Sequence, residues 1–77
     1  MTTNDLARIS RARRLGDGDG RRQRVAARIS LREMAAANNV AVATLQRWEA
    51  GKHAPRTSAA LRWLDNLEAL AAETGAP

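Results

Sequence analysis

Ser30-Leu31-Arg32-Glu33 opens the most tightly specified stretch of the chain. A serine followed three residues later by a glutamate can trade two hydrogen bonds with the backbone. Ser30 Oγ accepts from the Glu33 amide and the Glu33 carboxylate accepts from the Ser30 amide, the capping box that starts a helix. Ile29 before the cap and Met34 at the fourth helical position are the two halves of a hydrophobic staple, so this helix start is specified twice. The helix must be short. Asn38-Asn39 end it, because Asn is one of the few non-Gly residues that tolerate the left-handed backbone of a sharp exit. Val40 plugs the turn, a second helix is expected over about Val42 to Ala50, and Gly51 stops it. The chain is thereby committed to two short helices joined by about three residues.

Two such helices cross steeply only over a small contact residue, and Ala35 sits where the crossing would fall. Leu45 and Trp48, three apart, form the inward edge of the second helix and make a small core with Met34 and Val40. Burial of each is worth on the order of 1.5–3 kcal/mol. Val42, Ala43, Gln46 and Arg47 are left on the opposite face, the geometry of a helix presented to a DNA groove.

Before this stretch, Leu6, Ile9, Ala12 and Leu15 form an i, i+3 stripe that predicts a helix over 3–15, capped by Thr3 with Asp5 in its first turn. Arg8, Arg11 and Arg14 follow a parallel line and give it a cationic face. Residues 16–20, Gly-Asp-Gly-Asp-Gly, break that helix and are expected to be a flexible linker. The run resembles the start of a calcium loop, but Arg28 stands where the loop's closing acid would be needed. A short basic helix over 21–28 follows, with Val25 and its alanines as the apolar side. After the paired helices of 31–50, Lys52-His53-Ala54-Pro55-Arg56 forms a basic connector, and Thr57 or Ser58 caps a last helix over 57–74 through Leu61, Leu64, Leu67 and Leu70. Together with Ala60, Trp63 and Ala71 these leucines span about half the helix circumference, a wide arc for one small domain. Trp63, Leu67 and Leu70 are therefore a candidate surface for a protein partner or a second copy, with simple core packing equally open.

Composition narrows the function classes. With no Phe or Tyr and abundant Ala, the core must come from aliphatic residues and two Trp, which favours close-packed helices in a single domain over 1–77. The net charge of +5 is uneven: residues 1–32 balance to +6 and residues 33–77 to −1, as expected of a polyanion-facing side and a packing side. With no Cys and one His, there is no thiolate or zinc site to assemble and no cysteine nucleophile. Neither paired carboxylates nor a Gly-rich strand-helix loop is present, so an enzyme is disfavoured and no cofactor or metal is expected. No apolar run reaches the roughly 20 residues of a membrane span, and no signal-peptide pattern opens the chain. A reducing cytoplasm fits the absence of Cys.

The segment 29–56, ending in Trp48-Glu49-Ala50-Gly51-Lys52, is similar to the helix-turn-helix of the Cro/lambda-repressor (Xre) family, whose usual ending is a Trp-Glu-x-Gly-Lys run. The resemblance implies a compact all-α, five-helix lambda-repressor-like domain that binds double-stranded DNA. It further implies a transcriptional regulator, most simply a repressor of the phage immunity or Cro type, in the cytoplasm and at the nucleoid of a bacterial host. The alternative is an antitoxin or excision accessory protein that uses the same fold mainly for protein partnering. Arginine richness and the added N-terminal helix look like small regulators of high-GC actinobacteria or their phages. By the resemblance, bases would be read by Val42, Ala43, Gln46 and Arg47. Arg47 can fork onto guanine and Gln46 onto adenine, with Val42 and Ala43 against thymine methyls. Phosphates would be held by Ser30, Arg32, Lys52, His53 and Arg56 and by the amides of the two helix starts, and Arg24 would pair with Glu49. The chain departs from the pattern at Leu31, where the family has a phosphate-binding Gln, at Ala41, where it has a Ser/Thr cap, and at Asn38, where an apolar residue is usual.

Overall fold

The computed structural model describes residues 1–74, in which the chain forms five α-helices and no strand. They are α1 (Thr3–Arg13), α2 (Asp19–Ala26), α3 (Leu31–Ala37), α4 (Val42–Glu49) and α5 (Thr57–Thr74), with a 3-10 turn at Arg14–Asp17 between the first two. None is long and apolar enough to cross a membrane. One core joins Ile9, Ala12 and Leu15, Met34 and Ala35, Leu45 and Trp48, and Ala60, Trp63, Leu64 and Leu67. The long α5 is its axis, with α1 laid along one side and α2 against another.

Three consecutive helices end in the same way. After α2, α3 and α4, a residue in the left-handed region (Arg28 at φ 59°, Asn39 at φ 56°, Gly51 at φ 73°) turns the chain. The following amide then reaches back to the third-last helical carbonyl: Ile29 to Arg24, Val40 to Ala35, Lys52 to Arg47, at 2.9–3.2 Å. Each is a Schellman motif. Asn39 and Gly51 do what the sequence predicts. Arg28 does not: α2 stops at Ala26, and Arg28 adopts a conformation costly for a long side chain, held by Ile29 packing on the core behind it.

Other expectations need correction. The cap of α1 is Thr2, not Thr3, and it exchanges both bonds of a capping box with Asp5. Leu6 is 58 % exposed. An i, i+3 series slides about 60° around a helix at each step, and α5 covers only the part bearing Ile9 and Ala12. Val25 is 51 % exposed, because the inward line of α2 runs through the buried Gly20 and Arg24. The start of α5 has neither Thr57 nor Ser58 at the cap. Thr57 is already helical, and Arg56 holds the cap position with its carbonyl accepting from the Ala60 amide at 2.6 Å.

Residues 16–20 are not a flexible linker. A Cβ on Gly16 would lie 2.7 Å from Gly51 Cα and 2.8 Å from the Trp48 carbonyl oxygen, so two backbones touch there, at the exit of α4. A Cβ on Gly20 would lie 2.8 Å from Trp63 Cζ2. The short Gly/Asp run is thus packed between the exit of α4 and Trp63 of α5.

Trp63 and Leu67, offered by their sequence pattern as a partner surface, are each 1 % exposed and belong to the core. Leu70 is half-buried against it. The arc on α5 is wide because two neighbours share it. Along the seam with α1, Arg8 forms ion pairs with Asp65 and with Glu68 Oε1 at 2.8 Å, and Arg11 lies 3.7 Å from Glu68. The hydrogen bond from Arg8, followed by the charges of Arg8 and Arg11, holds the Glu68 carboxyl below its ordinary value, and the same pairing raises Arg8. A depressed carboxylate stabilises the fold above its unfolded pKa and loses that contribution as pH falls through the folded value. We therefore expect the melting temperature to drop in the acid range below the usual glutamate pKa. Glu68→Gln should flatten part of that drop, read by circular-dichroism melts against pH.

Candidate nucleic-acid interface

The segment Ser30–Glu49 folds as helix, turn and helix. The capping box closes as its spacing requires, with Glu33 N–H to Ser30 Oγ at 3.0 Å and Ser30 N–H to Glu33 Oε1 at 2.9 Å. That backbone bond and the serine hydroxyl hold the Glu33 carboxyl below its ordinary value. Ile29 packs on the core beside the buried Met34, completing the staple. Ala35 is 2 % exposed, and Leu45 and Trp48 are buried in the same core. Val40 is half-buried against the same cluster. Asn38, which stands where an apolar residue is usual, is itself buried. Its Nδ2 donates to the Met34 carbonyl at 2.8 Å and its Oδ1 accepts from Asn66 Nδ2 at 3.3 Å, so the polar group ties the turn to α5 rather than opening the core. Ala41 makes no side-chain cap for α4.

α4 is held from behind by one buried ion pair. Arg24 on α2 donates Nε to Glu49 Oε2 at 2.7 Å and Nη2 to Oε1 at 3.1 Å, while Nη1 donates to the Ile29 carbonyl at 2.9 Å. Both side chains are more than nine-tenths buried. The fork therefore fixes the end of α4 relative to α2 and to the start of α3 at once.

With Leu45, Trp48 and Glu49 turned inward, Val42, Ala43, Gln46 and Arg47 share the exposed face of α4. Val42 is only marginally open, at 37 %. Ion pairs among the described residues engage Arg8, Arg11, Arg22 and Arg24 and leave Arg47 out. Ser30 and Arg32 are exposed at the start of α3, and Lys52, His53 and Arg56 on the connector. The amides of Lys52 and His53 both donate to the Arg47 carbonyl, at 2.9 and 3.3 Å, which folds the connector back on the last turn of α4. An open cleft of about 340 Å³ between them is lined by Thr44, Arg47, His53 and Arg56 over Trp48 and Pro55.

Arg21 also lies at this face. It shares a recess with Gln46 and Ala50. Arg21 stands one turn before Arg24 on α2, and only the docking of α2 against α4 brings it here.

No His/Cys/Asp/Glu cluster able to hold a metal occurs among the described residues. A short helix fixed by its buried edge, with a polar face and a cationic surround, defines a helix-turn-helix DNA-binding protein. The family model for the helix-turn-helix matches residues 21–73, well over half of the chain, and the protein belongs to that family, the Cro/lambda-repressor type of DNA-binding regulator. It is a family of DNA-binding proteins rather than of enzymes. No curated protein and no solved structure matches the chain significantly.

Proposed function

We propose that the protein is a sequence-specific transcriptional regulator that inserts α4 into the major groove of double-stranded DNA, and that it acts as a repressor of the phage immunity or Cro type in a bacterial cytoplasm. The observation that carries this reading is the division of α4. One edge is locked by Leu45, Trp48 and the Arg24–Glu49 fork, and the other presents Gln46 and an Arg47 that joins no ion pair among the described residues. Arg47 reads guanine O6/N7, Gln46 reads adenine N6/N7, and Val42 and Ala43 meet thymine methyls. Ser30, Arg32, Lys52, His53 and Arg56 hold phosphates on either side and set the register. Arg contacts release counterions and supply much of the affinity. The Arg-rich composition supports an origin in high-GC actinobacteria or their phages.

Binding fragments selected from genomic DNA give the operator and its symmetry. Palindromic half-sites about one helical turn apart would report a homodimer. On that operator, Arg47→Ala should cost about 1–3 kcal/mol and relax the preference at one base. Lys52→Ala or Arg56→Ala should weaken cognate and scrambled duplexes alike and lower the salt slope by about 1. Gel shifts in which Arg47→Ala affects cognate and scrambled duplexes equally would refute the division of roles. The partnering alternative drew on the apolar arc of α5 and on a recognition helix that lacks its usual cap at Ala41. Trp63 and Leu67 in that arc are core, which removes the first support, so the DNA reading is preferred.

A further inference from the structure

Four arginines stand on α1 and at its end, and the structure divides them. Arg8 and Arg11 face Asp65 and Glu68 on α5, so their charge is matched within the molecule. Arg13 and Arg14 are exposed and join none of the ion pairs among the described residues. Arg13 gives one donor, Nε, to the Pro55 carbonyl at 3.2 Å, which leaves its two Nη groups for another acceptor. Asp17, the nearest acid along the chain, accepts from the Asp19 amide.

Two contacts place the end of α1, one from Arg13 and one from Gly16 two residues beyond Arg14, and both fall on the stretch that leaves α4. Pro55 belongs to the basic connector, between His53 and Arg56. Gly16 abuts Gly51 so closely that a Cβ on Gly51 would lie 2.8 Å from the Gly16 carbonyl oxygen. The end of α1 is thereby seated against residues 51–56, beside the cleft that Arg47, His53 and Arg56 line.

The geometry points to Arg13 and Arg14 as an accessory phosphate-binding site, continuing the cationic rim of Lys52, His53 and Arg56 along the backbone of duplex DNA flanking the bases that face α4. Arg13, bonded to the connector, and the exposed Arg14 next to it add positive charge beside Lys52, His53 and Arg56, and like charges repel one another in the free protein. A phosphate strand laid on them removes that repulsion and gives up its own counterions. The site lies outside the family's segment of 21–73, so it is a property this chain adds to a shared fold. It rests on the DNA-binding reading above.

The test measures binding of the full chain to a selected duplex, longer than the α4 footprint, as a function of salt. Each phosphate contact adds about 0.9 to the slope of log affinity against log salt concentration. Arg13→Gln/Arg14→Gln should therefore lose about 1.8 of that slope, and should lose backbone protection at one end of the hydroxyl-radical footprint while base preference is unchanged. Arg22→Gln removes a charge from a recess formed with Ala71 and Thr74 at the end of α5, away from the residues that line the cleft beside α4, and should leave the slope unaltered. Arg13→Lys/Arg14→Lys, which keeps the charge and gives up the planar fork, should retain most of the slope. A Lys pair as deficient as the Gln pair would show that the Pro55 hydrogen bond matters rather than the charge, and would overturn the proposal. A Gln pair with the parental slope would overturn it as well, with the roles of Arg47 and Lys52 intact. Failure of the parent protein to bind any duplex at low salt would instead remove the DNA reading itself.

Discussion

Arg24→Ala should destabilise the fold by about 3–5 kcal/mol, the usual cost of leaving one partner of a buried ion pair without the other. The Glu49 side chain is 5 % exposed, so water cannot replace the two bonds that its carboxylate accepts from Arg24. The Ile29 carbonyl loses its donor in the same substitution. For a domain this small, each kcal/mol lowers the melting temperature by roughly 4–8 °C, and total stabilities of about 5–15 kcal/mol are usual. The variant should therefore melt at least about 12 °C below the parent, with loss of helical signal. Arg24→Met/Glu49→Leu removes both charges and fills similar volume, and should recover most of the loss. Its value is diagnostic: if the double variant is no more stable than Arg24→Ala, the unpaired charge is not the source of the loss, and the specific bonds from Arg24 to Glu49 and to the Ile29 carbonyl are. A melting temperature for Arg24→Ala within a few degrees of the parent would mean that the fork does not hold α4 in place.

The features legible in the sequence were those whose partners lie within one or two turns. Ser30 and Glu33, Ile29 and Met34, Asn39 and Gly51 act on their own neighbours, and spacing alone identifies them. Thr2 and Asp5 were equally readable, since they stand at capping-box spacing and Thr3 does not. Arg24 and Glu49 are 25 residues apart, and only the family resemblance joined them. What local rules could not supply is the docking of α1. Arg8 and Arg11 look like a free cationic face because the acids that meet them are on α5, nearly sixty residues on. Gly16 looks like slack because its reason for being glycine is the Gly51 backbone. The exposed face of α4 was readable by subtraction, once Leu45 and Trp48 were assigned inward. The cation bordering it on α2, Arg21, was not, because its place depends on how α2 packs.

Trp63 shows the same limit, and its substitutions should have effects as large as those at Arg24. Its side chain is 1 % exposed and its ring lies 5.4 Å from that of Trp48, tilted by 42°. Trp63→Ala should cost about 3–5 kcal/mol, the range for truncating a buried aromatic, read as a shift of the urea midpoint. Trp63→Phe should cost less than its lost volume suggests. The buried Nε1–H of Trp63 has no hydrogen-bond partner among the described residues, and an unsatisfied buried donor is itself a burden of about 1–3 kcal/mol that phenylalanine does not carry. Gly20→Ala should cost about 1–3 kcal/mol as overpacking, because the new Cβ would meet Trp63 Cζ2 at 2.8 Å and Leu15 Cβ at 3.3 Å. The phenylalanine ring stops short of the Cζ2 position, so Gly20→Ala should be better tolerated in the Trp63→Phe background than in the parent, with a coupling of about 0.5–3 kcal/mol in a double-mutant cycle. Strict additivity of the two substitutions would show that α2 does not rest on the indole edge. The packed Gly/Asp run between α1 and α2 would then lose the contact that holds it against α5.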